Sequence, residues 1–370
     1  MKFTIDSGLF LESLSHTQGL VERRNTIPIL SNILIRAEGE QIFLTATDMD
    51  MTIIESTRCT VAQNGSCTAP AHTLYEIIRK LPSGAQVELT LKDGQLTIKS
   101  SRSRFALGTL PVADFPAYDN KPLLHKFTLP TAELRALIDR TRFAILQDES
   151  RYFLNGIYLH ATKSNDVPVL RAVATDGHRL ARIEMPLPEG AAKIPGVIIP
   201  RKTIGEIRKL VDAAAGTVEI SLSETQIRFA LDNVVLSSKL IDGTFPEYER
   251  VIPADNDKIL TVDRKSFAAA VDRVATISSE KSRAIKLSLG SGILTLSAQS
   301  AESGQASEEI EVKYDSAPIE VGFNARYLLD IAQQIDAEGA QFKLMDAQSP
   351  TIIQDPADLS ALYVLMPMRV

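Results

Sequence analysis

Apolar and polar positions change period several times along this chain, and the changes recur in a fixed order. At Lys2-Phe3-Thr4-Ile5-Asp6 the pattern alternates with period two, as in a half-buried strand. The same opening returns at Lys126-Phe127-Thr128-Leu129-Pro130 and at Ile259-Leu260-Thr261-Val262-Asp263. After each opening the period lengthens to that of an amphipathic helix. In the second copy Leu134, Leu137 and Ile138 form the apolar stripe, with Thr131 placed to cap the helix. In the third, Phe267, Val271 and Val274 lie at i, i+4 and i+7.

A second helix is predicted at Leu74–Leu81, at Ile204–Leu210 and, more faintly, at Leu328–Ile331. Alternating stretches follow the first two, at 86–91, 94–99 and 105–110, then at 217–222, 226–231 and 234–240. Asp93-Gly94 suits a tight hairpin turn. The copies also finish alike, at Leu110–Pro116, at Leu240–Pro246 and at the terminal run Tyr363–Val370. Two helices and three shared edges in one order point to a threefold repeat of an α+β domain. The boundaries read as 1–125, 126–253 and 254–370.

Composition is that of a folded chain: 370 residues, 44% hydrophobic and 23% charged, which excludes a mostly disordered protein. No apolar run is long enough for a spanning helix, and the start has no signal-peptide block. Cys59 and Cys67 are the only cysteines, which fits a reduced, cytoplasmic protein. A net charge of −6 argues at first against a nucleic-acid partner. The charge is uneven, however: the three copies carry −1, +1 and −6 in turn, so the acidity is concentrated in the last third.

Catalytic constellations are thin. Metalloprotease, hydrolase-elbow and phosphate-loop motifs are missing, and Gly290-Ser291-Gly292 reads as a hairpin turn. His16, His72, His125, His160 and His178 are scattered without ligand spacing, so neither a metal nor a cofactor is expected. Asp48-Met49-Asp50 would place two carboxylates on one strand face, where magnesium-dependent nucleases hold their ion. The second copy has Thr175-Asp176-Gly177-His178 there and lacks the second carboxylate. A strand end turning into solvent, with a left-handed glycine in the second copy, is the simpler reading.

Several long motifs in order carry a family resemblance: Thr26–Leu30, Ser101–Phe105, Ala113–Pro116, Arg151–Gly156, Val173–Leu180 and Tyr363–Val370. From end to end the chain resembles the bacterial DNA polymerase III beta subunits, the sliding clamps. The resemblance implies a non-enzymatic processivity factor with three similar domains per chain. It further implies a head-to-tail homodimer, a six-domain ring around duplex DNA with helices lining the hole and sheets outside. The polar faces of the candidate inner helices carry Arg23, Arg24, Arg79, Lys80, Arg135, Arg140, Arg142, Arg201, Lys202, Arg208 and Lys209, suited to sequence-neutral phosphate contact.

By resemblance Arg24, Arg79, Tyr152, Arg201 and Lys202 contact DNA, and His72 stands where related clamps carry an arginine. The resemblance also implies a peptide cleft through which the replicative polymerase, the clamp loader and other proteins are tethered. Its second-domain residues are Leu154, Thr175, Gly177, His178, Arg179, Leu180, Pro246, Arg250 and Val251. Its third-domain residues are Asn324, Tyr327, Val364, Met366, Pro367, Met368 and Arg369, with Ser282 departing from a larger apolar residue at the rim. The dimer contact is expected to set Arg102, Arg104, Phe105 and Leu107 against Ile277, Glu302 and Glu308 of a second copy. On residues alone a nuclease using Asp48 and Asp50 and a scaffold that binds no DNA stay open as alternatives.

Overall fold

The structure is a computed structural model and describes residues 1–23, 25–118, 121–279 and 283–369. The elements run through the same succession three times. The first run is β1 (Lys2–Asp6), α1 (Ser7–Gln18), β2 (Asn32–Glu38), β3 (Gln41–Thr47), β4 (Met51–Arg58), β5 (Thr60–Gln63), β6 (Gly65–Pro70), α2 (Ala71–Arg79), β7 (Gln86–Lys92), β8 (Gln95–Ser100) and β9 (Ser103–Gly108). The second is β10 (His125–Pro130), α3 (Thr131–Asp139), β11 (Gly156–Ser164), β12 (Val167–Thr175), β13 (Arg179–Pro186), β14 (Val197–Pro200), α4 (Arg201–Ala213), β15 (Thr217–Leu222), β16 (Gln226–Leu231) and β17 (Val234–Lys239). The third is β18 (Lys258–Asp263), α5 (Arg264–Ala275), β19 (Ala284–Gly290), β20 (Ile293–Ser300), β21 (Gly304–Glu311), β22 (Ile319–Asn324), α6 (Ala325–Ala332), β23 (Gly339–Leu344), β24 (Thr351–Asp355) and β25 (Asp358–Leu365). Among the described residues β5 is the one strand without a counterpart in the other copies.

Each run divides its strands between two sheets. The first, fifth, seventh, eighth and ninth strands of the first run form a sheet in the order β5-β1-β7-β8-β9. The corresponding strands of the second run continue into the remaining strands of the first, giving β10-β15-β16-β17-β4-β3-β2-β6. The third run does the same with the second, giving β14-β11-β12-β13-β25-β24-β23-β18. The fourth sheet is β21-β20-β19-β22. The two long sheets are closed by antiparallel pairs, β17 with β4 (Val234↔Glu55) and β25 with β13 (Arg179↔Leu365). In the two short sheets the equivalent strands, β9 and β21, stand at an edge.

Two compact units result. One comprises residues 1–135, 188–195 and 202–240; the other comprises 136–187, 196–201 and 241–370. The strands predicted at 86–91, 217–222 and 226–231 form as expected, whereas the one placed at 105–110 starts earlier, at Ser103. Asp93 and Gly94 both take positive φ, 49° and 73°, as a two-residue hairpin turn of this hand requires. Leu134, Leu137, Ile138, Phe267, Val271 and Val274 are buried, so both predicted stripes face the core. Thr131 does not cap α3. It is the first helical residue, and its hydroxyl donates to Gly216 O at 3.2 Å. In α1 and α5 aspartates do the capping: Asp6 accepts from Gly8 N and Leu9 N, and Asp263 from Ser266 N.

Candidate functional site

The turn before β13 is built by side chains that accept backbone protons. Asp176 Oδ1 accepts from His178 N (2.9 Å) and Arg179 N (3.0 Å), and Thr175 Oγ1 accepts from Gly177 N while donating to Arg179 O. The first copy repeats this device: Asp48 Oδ1 accepts from Asp50 N and Met51 N, and Thr47 Oγ1 bonds Met49 N and Met51 O. Asp48 and Asp50 therefore sit in a hairpin turn, which agrees with the strand-end reading and not with the paired strand-face carboxylates of the nuclease alternative. Each carboxylate meets a lysine, Asp48 with Lys202 (2.5 Å) and Asp50 with Lys239 (3.0 Å). No group of three or more His, Cys, Asp and Glu residues among those described is placed to hold a metal ion.

Beside the second turn lies an apolar cavity of about 370 Å³, wholly within one unit. Of the residues expected there, Leu154, Thr175, Gly177, His178, Arg179, Leu180, Pro246, Val251, Val364 and Met366 line it. Leu154, Val173, Leu180, Ile198, Phe245, Tyr248 and Val364 make the packed floor, while Val251 and Met366 stay exposed to solvent. Exposed apolar side chains beside a concave apolar floor are what a partner's side chains can cover. Gly177 has φ +89°, a left-handed conformation that favours glycine, and a Cβ there would meet Arg151 Nη1, the end of a flexible side chain, at 2.8 Å.

Arg179, expected in the cleft, spends its polar groups within the fold. It is 8% exposed, and its guanidinium donates to Asp176 Oδ2 (3.1 Å), Asp330 Oδ2 (2.6 Å) and Phe143 O (2.6 Å). The Tyr327 and Phe143 rings lie at 4.2 and 5.1 Å from its central carbon. Its donors are engaged internally, and the Tyr327 ring covers the guanidinium.

The remaining expected cleft residues stand outside the cavity wall. Asn324 Oδ1 caps α6, accepting from Arg326 N and Tyr327 N, and Met368 N donates to Gly322 O. Arg250 pairs with Glu247, Pro367 is half-buried, and Arg369 is exposed. Arg151, Phe153, Glu247 and Tyr248 line the cavity and were not singled out. Three of them flank residues that were, inside the Arg151–Gly156 run and the Pro246-Glu247-Tyr248 segment, and that adjacency was the available signal.

The basic residues on the helices are mostly ion-paired. Arg79 meets Glu76 (2.7 Å), which holds its guanidinium above its ordinary pKa, and Lys209 meets Glu206 (2.8 Å). Burial lowers the Lys202 ammonium's pKa, but bonds to Asp48 and Glu22 outweigh burial and raise it. Arg208 is buried against Asp212, and Arg140 bridges Asp336 and Asp358, so neither forms part of a free basic face as the sequence suggested. Arg201 and Arg23 are exposed, with no ion-pair partner among the described residues. Tyr152 is 54% exposed and rests edge-on against Phe153. His72 Nε2 is 2.8 Å from Val21 O, a contact within the fold. Arg24 and Ser282 lie outside the described residues.

Of the expected dimer residues, Arg104, Phe105 and Leu107 lie on the edge strand β9 and Glu308 on the edge strand β21, with the others close by in sequence or just beyond α5. Arg102 precedes β9, and Arg104 and Phe105 on that strand are exposed, while Leu107 is half-buried. Glu308 is on β21, Glu302 in the turn before it, and Ile277 just beyond α5. Glu308 is already held by Arg273, with Nε–Oε2 at 3.0 Å.

Three family models cover nearly the whole chain in succession. They are the N-terminal, central and C-terminal domains of the DNA polymerase III beta subunit, matching residues 1–119, 128–247 and 249–369. The chain belongs to the DNA polymerase III beta subunit family. The beta sliding clamp of Caulobacter vibrioides is 54% identical over 372 residues, and that of Escherichia coli 36% over 370, each match covering both chains completely. A Bartonella birtlesii DnaN sliding clamp solved bound to griselimycin superposes with a TM-score of 0.98 at 47% identity, covering all of both chains. A Caulobacter crescentus clamp, with polyethylene glycol in a region named there for tethering the beta motif, gives 0.97 at 54%, covering 100% of this chain and 99% of that one. The chain thus carries three clamp domains and acts as a sliding clamp, a non-catalytic processivity subunit in DNA replication. DNA, a second copy of itself and clamp-binding proteins such as polymerase are its partners. Among the described residues no helix is long and apolar enough to cross a membrane.

Proposed function

We propose that two copies close head to tail into a ring of six domains that encircles duplex DNA in the cytoplasm, with domain limits at 1–125, 126–253 and 254–370. The observation that carries this reading is the pair of open edges. Inside the chain, the last strand of one run twice pairs with the fourth strand of the run before it, β17 with β4 and β25 with β13. Among the described residues β9 and β21 lack that partner, and each is the type of strand the other needs. An antiparallel pairing of β9 with β21 of a second copy completes the series and hides both edges. It brings Arg102, Arg104, Phe105 and Leu107 towards Ile277, Glu302 and Glu308 of the other copy.

On this reading Arg24, Arg79, Tyr152, Arg201 and Lys202 meet the DNA. Solvent-screened surface ion pairs such as Arg79–Glu76 contribute little, so phosphates can displace the carboxylates without fixing the ring in one register. Contact of this kind is indifferent to sequence and weakens steeply with salt. The apolar cavity beside Gly177 receives the replicative polymerase, the clamp loader and other clients, and griselimycin serves as its probe.

Retention on DNA tests the ring. Loaded protein should remain on nicked circular DNA and leave linear DNA through its ends, and charge reversal at Arg24 with Lys202 should shorten the residence. Equal retention on both topologies would refute encirclement. Removing the chain from Leu365 onward is a poor test of the cleft, because Leu365 is fully buried. Met366→Glu is the cleaner change and should abolish griselimycin binding while leaving the ring intact.

A further inference from the structure

Behind the apolar wall of the cavity the same sheet face turns polar. The register sets His160 of β11 opposite Arg171 of β12, and Arg171 opposite Glu184 of β13. Arg171 is 3% exposed, with Nε and Nη2 on Glu184 Oε2 at 3.0 and 2.9 Å. Its Nη1 donates outward to the Tyr248 hydroxyl (2.8 Å) and to Glu249 Oε1 (2.6 Å). His160 Nε2 lies 3.0 Å from the same hydroxyl, and Tyr248 presents its ring to the cavity. A column of rings links these ends: His160 stacks on Tyr158 (4.5 Å), Tyr158 on Phe245 (4.8 Å), and Phe245 meets Tyr248 edge-on (6.3 Å).

We propose that His160 and Arg171 are positioning residues for the client cleft, acting through Tyr248, whose hydroxyl they pin so that its ring forms a fixed wall. Arg171 can only donate, so the Tyr248 oxygen accepts from it, and the phenolic proton has two acceptors in reach, His160 Nε2 at 3.0 Å and Glu249 Oε1 at 3.5 Å, of which His160 is the nearer. Donation to His160 requires a neutral imidazole, and burial followed by the Arg171 charge lowers the His160 pKa to about 4. An unpinned Tyr248 lies on a short helical turn, Tyr248–Val251, next to exposed Val251. The ring would then sample orientations that the ligand must reselect, which lowers affinity by the fraction lost.

The inference rests on the cavity being the client site, and the experiment separates the two. Griselimycin affinity is measured by calorimetry on the full chain carrying Tyr248→Phe, His160→Phe, both together, His160→Gln, and Met366→Glu. His160→Phe keeps the stacked ring and removes only the acceptor; His160→Gln restores one. Tyr248→Phe and His160→Phe should each weaken binding about three- to tenfold, the effect of one hydrogen bond. The double variant should be no weaker than either single, and His160→Gln should come within about twofold of the parent. An unchanged affinity in His160→Phe, or a further loss when it is added to Tyr248→Phe, overturns the positioning role. Unchanged binding in Met366→Glu instead overturns the cleft reading and this inference with it.

Discussion

Replacing Arg179 with methionine keeps the aliphatic stem and removes the guanidinium that ties the cleft turn to α6. Three charge-assisted hydrogen bonds go, to Asp176, Asp330 and Phe143 O, together with the stacking on Tyr327. Breaking a buried ion pair from one side costs about 3–5 kcal/mol. The lower end applies here, because Asp176 keeps its two backbone donors, and Asp330 is partly exposed and retains Arg326 at 4.0 Å. A loss of about 3 kcal/mol in a unit of this size lowers the melting temperature by roughly 6–12 °C. Scanning calorimetry of the full chain reads it as an earlier transition. Asp330→Asn in the Arg179→Met background should cost less than Asp330→Asn alone, since the shared bond is already gone. A shift below about 2 °C, or strictly additive losses, would refute the view that this arginine belongs to the architecture of the site.

Acidity should act on the two units in opposite directions. His160 has its pKa lowered to about 4, so the stability it contributes is complete above about 6.5 and disappears as the pH falls towards 4. His16 has its pKa raised, first by its bond to buried Glu55, so its contribution is complete below about 6.5 and is lost as the pH rises through the raised value. Amide hydrogen exchange between pH 5 and 8, corrected for intrinsic rates, should show protection changing with opposite sign around α1 and around β11. Ala106→Pro in β9 removes an edge N–H and should convert dimer to monomer in sedimentation velocity without altering the melting transition. Cys59 has its thiol pKa raised to about 11 by burial, so it should label slowly with a disulfide reagent at pH 8 and no faster than a free thiol in urea.

The repeat was legible because it rests on local periodicity: the hairpin at Asp93-Gly94 and the apolar stripe at Phe267, Val271 and Val274 need no long-range information. The cavity lining was legible largely through family motifs, and ten of its residues were named in advance. Roles within the lining were less accessible. Arg179 and Arg208 look alike in sequence to Arg201, yet two are buried on carboxylates and one is exposed. What sets Arg179 apart is where Asp330 arrives in space, which a linear pattern does not record, whereas Asp212 lies at i+4 from Arg208 on α4 and was readable as its partner. Asp48 and Asp50 were legible as a strand end turning into solvent, and what the sequence left out is that the turn's side chains bond their own backbone. Tyr248 was missed because its importance comes from Arg171 and His160, both distant in sequence.

The middle copy gives half of its strands to each compact unit, and neither unit is a continuous stretch of chain. Expression fragments cut at the repeat boundaries would therefore be poor reagents. A piece spanning 128–247 would carry two half-sheets that normally finish against neighbours on either side, and would offer both to whatever strand it met first. The same arrangement makes recombination between copies costly, since swapping one repeat alters two seams at once. A lineage building on this plan is held to change its three repeats in concert, with the whole chain as the smallest piece that can be exchanged and still fold.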